Sequence, residues 1–357
     1  MSKIASIQVL RAIAAWLVVY HHYMFFFFDY KSDFLLGNFF SHYGDFGVDI
    51  FFVVSGFIMF HTLNHRDISA REYFVKRILR IVPAYWFYTF ILLLLASFYV
   101  REFAFTAWNA SSLLQSLFFL PHKNPSGLGS FPFLTVGWTL NLEIFFYALL
   151  AVSIFVSRKY KFVLTIVLLM VLPVMWERGW FYGTILSFYK VLWSYQLREF
   201  ALGLVLGYLY AEIALFRRNQ FGFFLLLISL SLLVWFDDRH TRQLAAFSIV
   251  AAALCFDKAI SNSWLCKPLV HLGNLSYSTY LAHVLVLGIT LHYTGKDHGQ
   301  LLGTATLSLA TLLVYLVSLL SYRWIEAGSL MVHLKRLVYA AFQIRRGQPV
   351  MAAVKHE

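Results

Sequence analysis

The feature that most limits how this chain can fold is a series of apolar runs, each long enough to cross a lipid bilayer. Hydrophobic residues make up 60% of the 357 positions and charged residues only 13%, and the mean hydropathy is +0.69. Soluble domains carry about 25% charged residues. The chain therefore has too few polar side chains to cover a water-facing surface, and the composition predicts an all-α integral membrane protein.

Windows of roughly 17–23 apolar residues predict a bundle of about ten transmembrane helices. The first window carries Arg11, His21 and His22 and is long enough to span, so we interpret it as a retained helix and not as a signal peptide. Residues 111–120 are too short to cross and are predicted to form an interfacial or re-entrant helix in the loop 101–134. The predicted spans are 6–28, 45–63, 82–100, 135–156, 161–177, 196–212, 221–236, 242–257, 275–293 and 300–324.

The distribution of Lys and Arg predicts the orientation of these spans. With a cytoplasmic N-terminus, 18 of the 29 basic residues fall on the inner side and eight on the outer side, as the positive-inside rule requires. An even number of spans then places both termini in the cytoplasm, with residues 331–357 as a basic cytoplasmic tail. The net charge of +12 is explained by this asymmetry and does not indicate nucleic-acid binding.

Ionisable residues inside the predicted spans are functional candidates, because a charge at that depth is costly. The alternative for each is a structural ion pair or a side chain that reaches the interface. Arg11 and His22 are eleven residues apart and so lie within about 20° of one helix face, roughly 16 Å apart along the axis. His21 points about 80° away, which makes His22 the better bundle-facing candidate.

The other candidates are polarised across the membrane. Asp49 and Glu143 are predicted at a depth similar to that of His22, nearer the outside. Arg77 and Arg80, three residues apart and so on one face, stand at the inner mouth, and Arg11 and His283 fall in the inner half. An inner cationic cluster suits an anionic donor, and a His near carboxylates suits general-base chemistry.

These residues also carry a resemblance to the acyltransferase 3 family of membrane O-acyltransferases. Five segments resemble family motifs in the right order, and a sixth resembles the closing motif without its usual Pro. The segments are SIQVLRAIAAWLVVYHHY, GDFGVDIFFVVSGFIMF, FVKRILRIVPAYW, VGWTLNLEIFFY, LGNLSYSTYLAH and RWIE. The first and fourth are most similar to the branch that O-acetylates bacterial exopolysaccharides. The resemblance runs from about residue 6 to residue 326, and residues 1–330 are assigned to this domain.

The resemblance implies a donor, acetyl-CoA or another short acyl-CoA, and a sugar hydroxyl on a glycan or lipid-linked oligosaccharide as acceptor, with no metal. It implies that His22 is catalytic, as base or as transient acyl carrier. Glu143 is expected to orient or charge-stabilise His22, with help from Asp49. Arg11, Arg77 and Arg80 are expected to hold the donor, and His283 is grouped with them. The expected location is the bacterial inner membrane, and the expected partners are membrane lipid and the machinery of polysaccharide synthesis and export.

A second hypothesis is a proton-coupled transporter or a glycan flippase, since intramembrane Arg, His, Glu and Asp also suit a carrier. Many carriers contain inverted repeats with paired broken helices. The sequence shows no such repeat, and the Arg11–His22 pair has no counterpart in the second half. The resemblance and this lack of symmetry together favour the enzyme.

Overall fold

The computed structural model describes residues 4–32, 34–99, 103, 106–180, 195–236, 238–296 and 300–344, and the regular elements in these ranges are all helical. The all-α prediction is therefore confirmed. The α-helices are α1 (Ala5–Phe28), α2 (Leu35–Tyr43), α3 (Phe46–Leu63), α4 (Ala70–Phe98), α5 (Ala110–Leu117), α6 (Trp138–Val156), α7 (Lys161–Glu177), α8 (Leu197–Glu212), α9 (Asn219–Trp235), α10 (Arg239–Cys255), α11 (Asp257–Asn262), α12 (Lys267–Thr294), α13 (Gln300–Ser321) and α14 (Ser329–Ala341).

Each predicted span coincides with one of these helices, but length and hydropathy support fewer crossings. Within the described ranges, five stretches are long and apolar enough to span a bilayer. They are Ala5–Phe28, Phe46–Leu63, Ala70–Phe98, Thr135–Val156 and Gly303–Ala341. The helices α7 to α10 have 16 or 17 residues each, at the lower limit for a perpendicular crossing. The protein is a helical membrane protein, and the count of ten stays a prediction.

Two helices begin well before the apolar windows that predicted them. The α4 helix starts at Ala70, twelve residues before its window, because Ser69 caps it by accepting a hydrogen bond from the Glu72 amide at 3.2 Å. The α12 helix starts at Lys267, eight residues before its window, with Pro268 in its first turn. Both early turns are too polar for a hydropathy window to include them.

Glycines let two pairs of helices, α1 with α12 and α3 with α8, approach each other closely. Gly273 of α12 lies directly against the backbone carbonyl of Gln8 in α1, so that any side chain at that position would overlap it. In the same way Gly56 of α3 lies against Phe200, and Gly203 of α8 lies against Val53. Small residues at such crossings are typical of helix association in membranes, and here they bring α1 against α12 and α3 against α8.

The amphipathic helix α14 follows α13. The domain boundary predicted at residue 330 falls inside α14, and residues 345–357 of the predicted tail lie outside the described residues. The boundary stays a prediction. The short helix predicted at 111–120 is present as α5.

We expect a reporter fused after Glu357 to score as cytoplasmic, because the basic residues are biased to the side that holds the C-terminus. Paired alkaline phosphatase and fluorescent protein fusions would measure this. A fusion in the loop that joins α2 and α3 is the matched external control. An external signal from the C-terminal fusion would contradict the predicted orientation.

Candidate active site

A cavity of about 210 Å³ lies between α1, α3, α4, α6 and α12. Three of its charged side chains are the predicted cations Arg11, Arg77 and Arg80, and a fourth is the predicted carboxylate Glu143. The rest of the wall is largely apolar and aromatic and includes Phe51, Phe52, Ile58, Tyr277 and Tyr280. The cavity thus combines a concentrated positive charge with an apolar lining, as a site for an anionic molecule with a hydrophobic arm requires.

Arg80 is held by a carboxylate from the other end of the chain. Its Nη1 lies 3.1 Å from Oε2 of Glu326, whose side chain is only 4% exposed. The Ser278 hydroxyl donates to the other carboxylate oxygen at 2.5 Å. Glu326 ends a π-helical turn, Tyr322–Glu326, a geometry that is frequent at functional sites. The RWIE motif therefore serves to fix the guanidinium of Arg80.

Arg77 and Glu143 are held differently. The guanidinium of Arg77 lies 5.8 Å from the ring centres of both Tyr73 and Tyr147, within cation–π range. Its Nε is buried and has no hydrogen-bond partner among the described residues. Glu143 accepts hydrogen bonds from the hydroxyls of Ser55, at 3.2 Å, and Tyr147. Arg77 is thus a half-buried cation with one unused donor beside the cavity.

His22 forms a pair with His283. The Nδ1 of His22 lies 2.9 Å from the Val18 carbonyl oxygen, which only accepts, so Nδ1 carries the proton and Nε2 is the basic nitrogen. The Nε2 of His283 lies 3.3 Å from the same Nδ1, and the His283 side chain is fully buried. Tyr280, which lines the cavity, places its ring 5.8 Å from that of His283. The histidine pair is therefore one aromatic ring away from the cavity.

His21 occupies a different environment. Its Nδ1 lies 3.1 Å from the Phe40 carbonyl oxygen and its Nε2 lies 3.2 Å from the Tyr30 hydroxyl. Both ring nitrogens are used in contacts that fix the segment between α1 and α3. The two adjacent histidines thus have different neighbours, as their positions on the helix predict. The contacts of His21 are those of a structural residue.

Asp49 lies in a separate polar cluster and does not join His22. Its Oδ2 is 3.3 Å from Nε of Arg242, whose Nη2 is 2.8 Å from Asp45. The buried carboxyl of Glu199 lies near enough to Asp49 for their charges to interact, and both of its oxygens lack a hydrogen-bond partner among the described residues. The sequence did not predict Glu199, although a carboxylate inside the span 196–212 was a signal by the same rule that selected Asp49.

The structure corrects two expectations about position. The hydrogen-bond partners of His22 in the described chain are Val18 and His283, and neither Glu143 nor Asp49 is among them. Similar depth does not make two side chains neighbours, because the packing of their helices decides which faces meet. His283 was placed in the inner half with the arginines, but α12 starts at Lys267, so His283 is sixteen residues into its helix and reaches the level of His22.

The Arg80–Glu326 pair should contribute measurably to stability. We expect Glu326→Gln to lower the free energy of unfolding by about 1–2 kcal/mol, because Arg80 loses its charge-assisted hydrogen bond but stays partly hydrated. Thermal denaturation of the purified protein in detergent would measure the change. Asp67→Asn is the control, since it breaks an exposed pair with Arg158 that is worth about 0–1 kcal/mol. Equal effects of the two substitutions would contradict the assignment.

Apolar helices around a cation-lined cavity, with a histidine pair close by, define an integral membrane protein with a candidate site for an anionic reactant. Comparison with known families assigns the chain more narrowly. Residues 4–323 match the acyltransferase 3 model, described as an acyltransferase domain, and the chain belongs to this family of acyltransferases. The family that the sequence motifs resemble is thereby confirmed.

A curated relative supports the same assignment. The chain is 31% identical over 293 residues to the exopolysaccharide production protein ExoZ of Rhizobium meliloti (strain 1021). The match covers 78% of this chain and 87% of that protein. No solved structure matches the chain significantly.

Proposed function

We propose that this protein is a membrane O-acyltransferase that moves an acetyl or other short acyl group from acyl-CoA to a sugar hydroxyl. The acceptor is an exopolysaccharide or another cell-surface glycan, as a polymer or as a lipid-linked oligosaccharide. The observation that carries this proposal is the cavity of about 210 Å³ that joins three arginines to an apolar lining near a histidine pair. Membership of an acyltransferase family and the similarity to an exopolysaccharide production protein support it.

The arginines suit the donor. Arg77 has an unused donor, its Nε, beside the cavity, and Arg80 presents a guanidinium already oriented by Glu326. Arg11 donates to Gln8 at 3.2 Å and lines the same cavity. Guanidinium groups bind phosphates through paired, charge-assisted hydrogen bonds. In this proposal they bind the phosphates of acyl-CoA from the cytoplasm, and the apolar wall receives the pantetheine arm.

His22 suits the proton transfer. In the proposed step, Nε2 of His22 takes the proton of the sugar hydroxyl, and the sugar oxygen attacks the thioester carbonyl carbon. The C–S bond breaks, an ester forms, and the departing sulfur takes the proton back from His22, so that free CoA leaves. His283 faces the Nδ1–H of His22 at 3.3 Å, where it holds the tautomer that keeps Nε2 basic.

Glu143 has a different part in this scheme from the one its sequence position suggested. It shares the cavity with three arginines and is bound by Ser55 and Tyr147. A carboxylate there offsets part of the positive charge when no donor is bound and keeps Tyr147 beneath Arg77. We therefore propose Glu143 as a positioning residue for the cations, and Asp49 as part of a separate cluster with Arg242.

The test is direct. The purified protein in phospholipid vesicles, supplied with isotope-labelled acetyl-CoA and de-esterified exopolysaccharide from its own host, should transfer label to an alkali-labile ester seen by mass spectrometry. The same glycan from cells without the gene should lack that ester. If the two glycans carry the same esters, and no acyl-CoA labels the acceptor, the protein does not have the proposed function.

A further inference from the structure

The C-terminal helix α14 lies along the part of α4 that carries the two donor arginines. Met331 and Lys335 line a small crevice with Pro83 and Arg80. Farther along α14, Tyr339 lies close enough to Arg77 to interact with its charge. Beyond the end of the helix, the Phe342 ring lies 4.9 Å from the guanidinium of Arg71. Residues later in the C-terminal segment contact residues earlier in α4, so the two helices are antiparallel.

The face of α14 that meets α4 is defined by helical spacing. Met331, Lys335, Val338 and Tyr339 are buried or half-buried, whereas His333 and Arg336 are exposed. The positions i, i+4, i+7 and i+8 form one stripe on a helix. Lys335 therefore points towards Arg80 and Glu326, with which it lines the small crevice and with both of which its charge interacts.

This placement leaves an excess of positive charge. Arg80 lines both the large cavity and the small crevice, so it connects the two. Among the described residues that line either one, four are cationic and two are acidic: Arg11, Arg77, Arg80 and Lys335 against Glu143 and Glu326. Like charges held together in a half-buried position are unfavourable unless an anion joins them. The cavity and the crevice together therefore keep an excess of two positive charges, which favours an anionic ligand.

We propose that Lys335 is a donor-binding residue and that it takes the 3′-phosphate of the nucleotide end of acyl-CoA. The inference rests on the proposed acyl-CoA donor. In that molecule the 3′-phosphate is a monoester far from the thioester, and Lys335 lies on the far side of Arg80 from the cavity. Lysine binds phosphate as a point charge. The family model ends at residue 323, so this cation comes from a segment of the chain beyond the matched domain.

The experiment compares two ligands and two variants. Binding of CoA and of 3′-dephospho-CoA is measured for the full-length protein in phosphatidylcholine vesicles, together with KM for the corresponding acetyl thioesters. Lys335→Gln should weaken CoA binding and raise KM by about tenfold, and should leave 3′-dephospho-CoA unaffected. Arg336→Gln removes the same charge from the exposed side of α14 and should change neither ligand.

The outcomes separate this inference from the function on which it rests. If the wild-type protein binds no CoA and uses no acyl-CoA, the proposed function fails. If the wild-type protein uses acetyl-CoA but Lys335→Gln binds CoA normally, or loses both ligands equally, only the assignment of Lys335 is overturned. An anionic lipid headgroup is the other source of phosphate. If Lys335 binds an anionic lipid, Lys335→Gln should weaken CoA binding only in vesicles that contain phosphatidylglycerol. That result would also overturn the assignment.

Discussion

Replacing His22 with Ala should lower the rate of acyl transfer by about 10²–10⁴-fold, the usual contribution of a general base, with little loss of folded protein. The structure gives the reason. Val18 and His283 both face Nδ1 of His22, so the proton resides there and Nε2 is left to accept the proton of a hydroxyl group. Replacing the imidazole with a methyl group removes this base. The measurement is acylated glycan formed per unit of folded protein.

His21→Ala is the matched control because it removes the same side chain one position earlier. His21 bonds to Phe40 and Tyr30, so its loss should reduce the amount of folded protein and leave the turnover of the surviving protein within a few-fold of wild type. A structural role for both histidines predicts the opposite pattern, with lost protein and equal sensitivity. If His22→Ala keeps near-normal turnover while His21→Ala is inactive, the proposed mechanism is wrong.

The sequence predicted the helices well where burial in lipid decides them. Long apolar runs must satisfy their backbone groups internally, so α1, α3 and α6 begin and end within a few residues of their predicted bounds. The starts of α4 and α12 were not predicted, because an N-cap or a polar first turn extends each helix beyond its apolar segment. Hydropathy indicates which residues can lie in lipid, but it does not indicate where a helix begins or ends.

The sequence predicted candidate residues for the site but not their arrangement, and their roles stay predictions. Arg11, Arg77, Arg80 and Glu143 line one cavity. Helical spacing placed Arg77 and Arg80 on one face, whereas Glu143 was expected nearer the outside, at the depth of His22, and lies with the arginines instead. The pairing of His22 with His283 was not predicted, because it depends on where α12 begins and on how closely Gly273 lets it approach α1. Sequence spacing fixes which residues share a helix face, whereas contacts between helices depend on packing that one sequence does not display.

Arg77→Ala should raise KM for acyl-CoA by about 10- to 100-fold, since a charge-assisted hydrogen bond is worth about 1.5–3 kcal/mol. Arg77 is chosen because its Nε has no partner among the described residues, whereas Arg80 is already bound to Glu326. Arg77→Lys should recover only part of the loss, because an ammonium lacks the planar fork and stacks less well over Tyr73 and Tyr147. Initial rates at limiting and saturating donor measure both effects.

The division between KM and kcat identifies the role of Arg77. A cation that binds the phosphates makes the same contact in the bound substrate and in the transition state, so its loss raises KM and leaves kcat nearly unchanged. A residue that acts on the reacting atoms would instead lower kcat. Arg66→Ala is the control, because it removes an exposed positive charge on the same predicted side of the membrane and should change neither constant. If Arg77→Ala lowers kcat at unchanged KM, Arg77 belongs to the reacting centre, and the arginine-lined cavity is not where the phosphates of the donor bind.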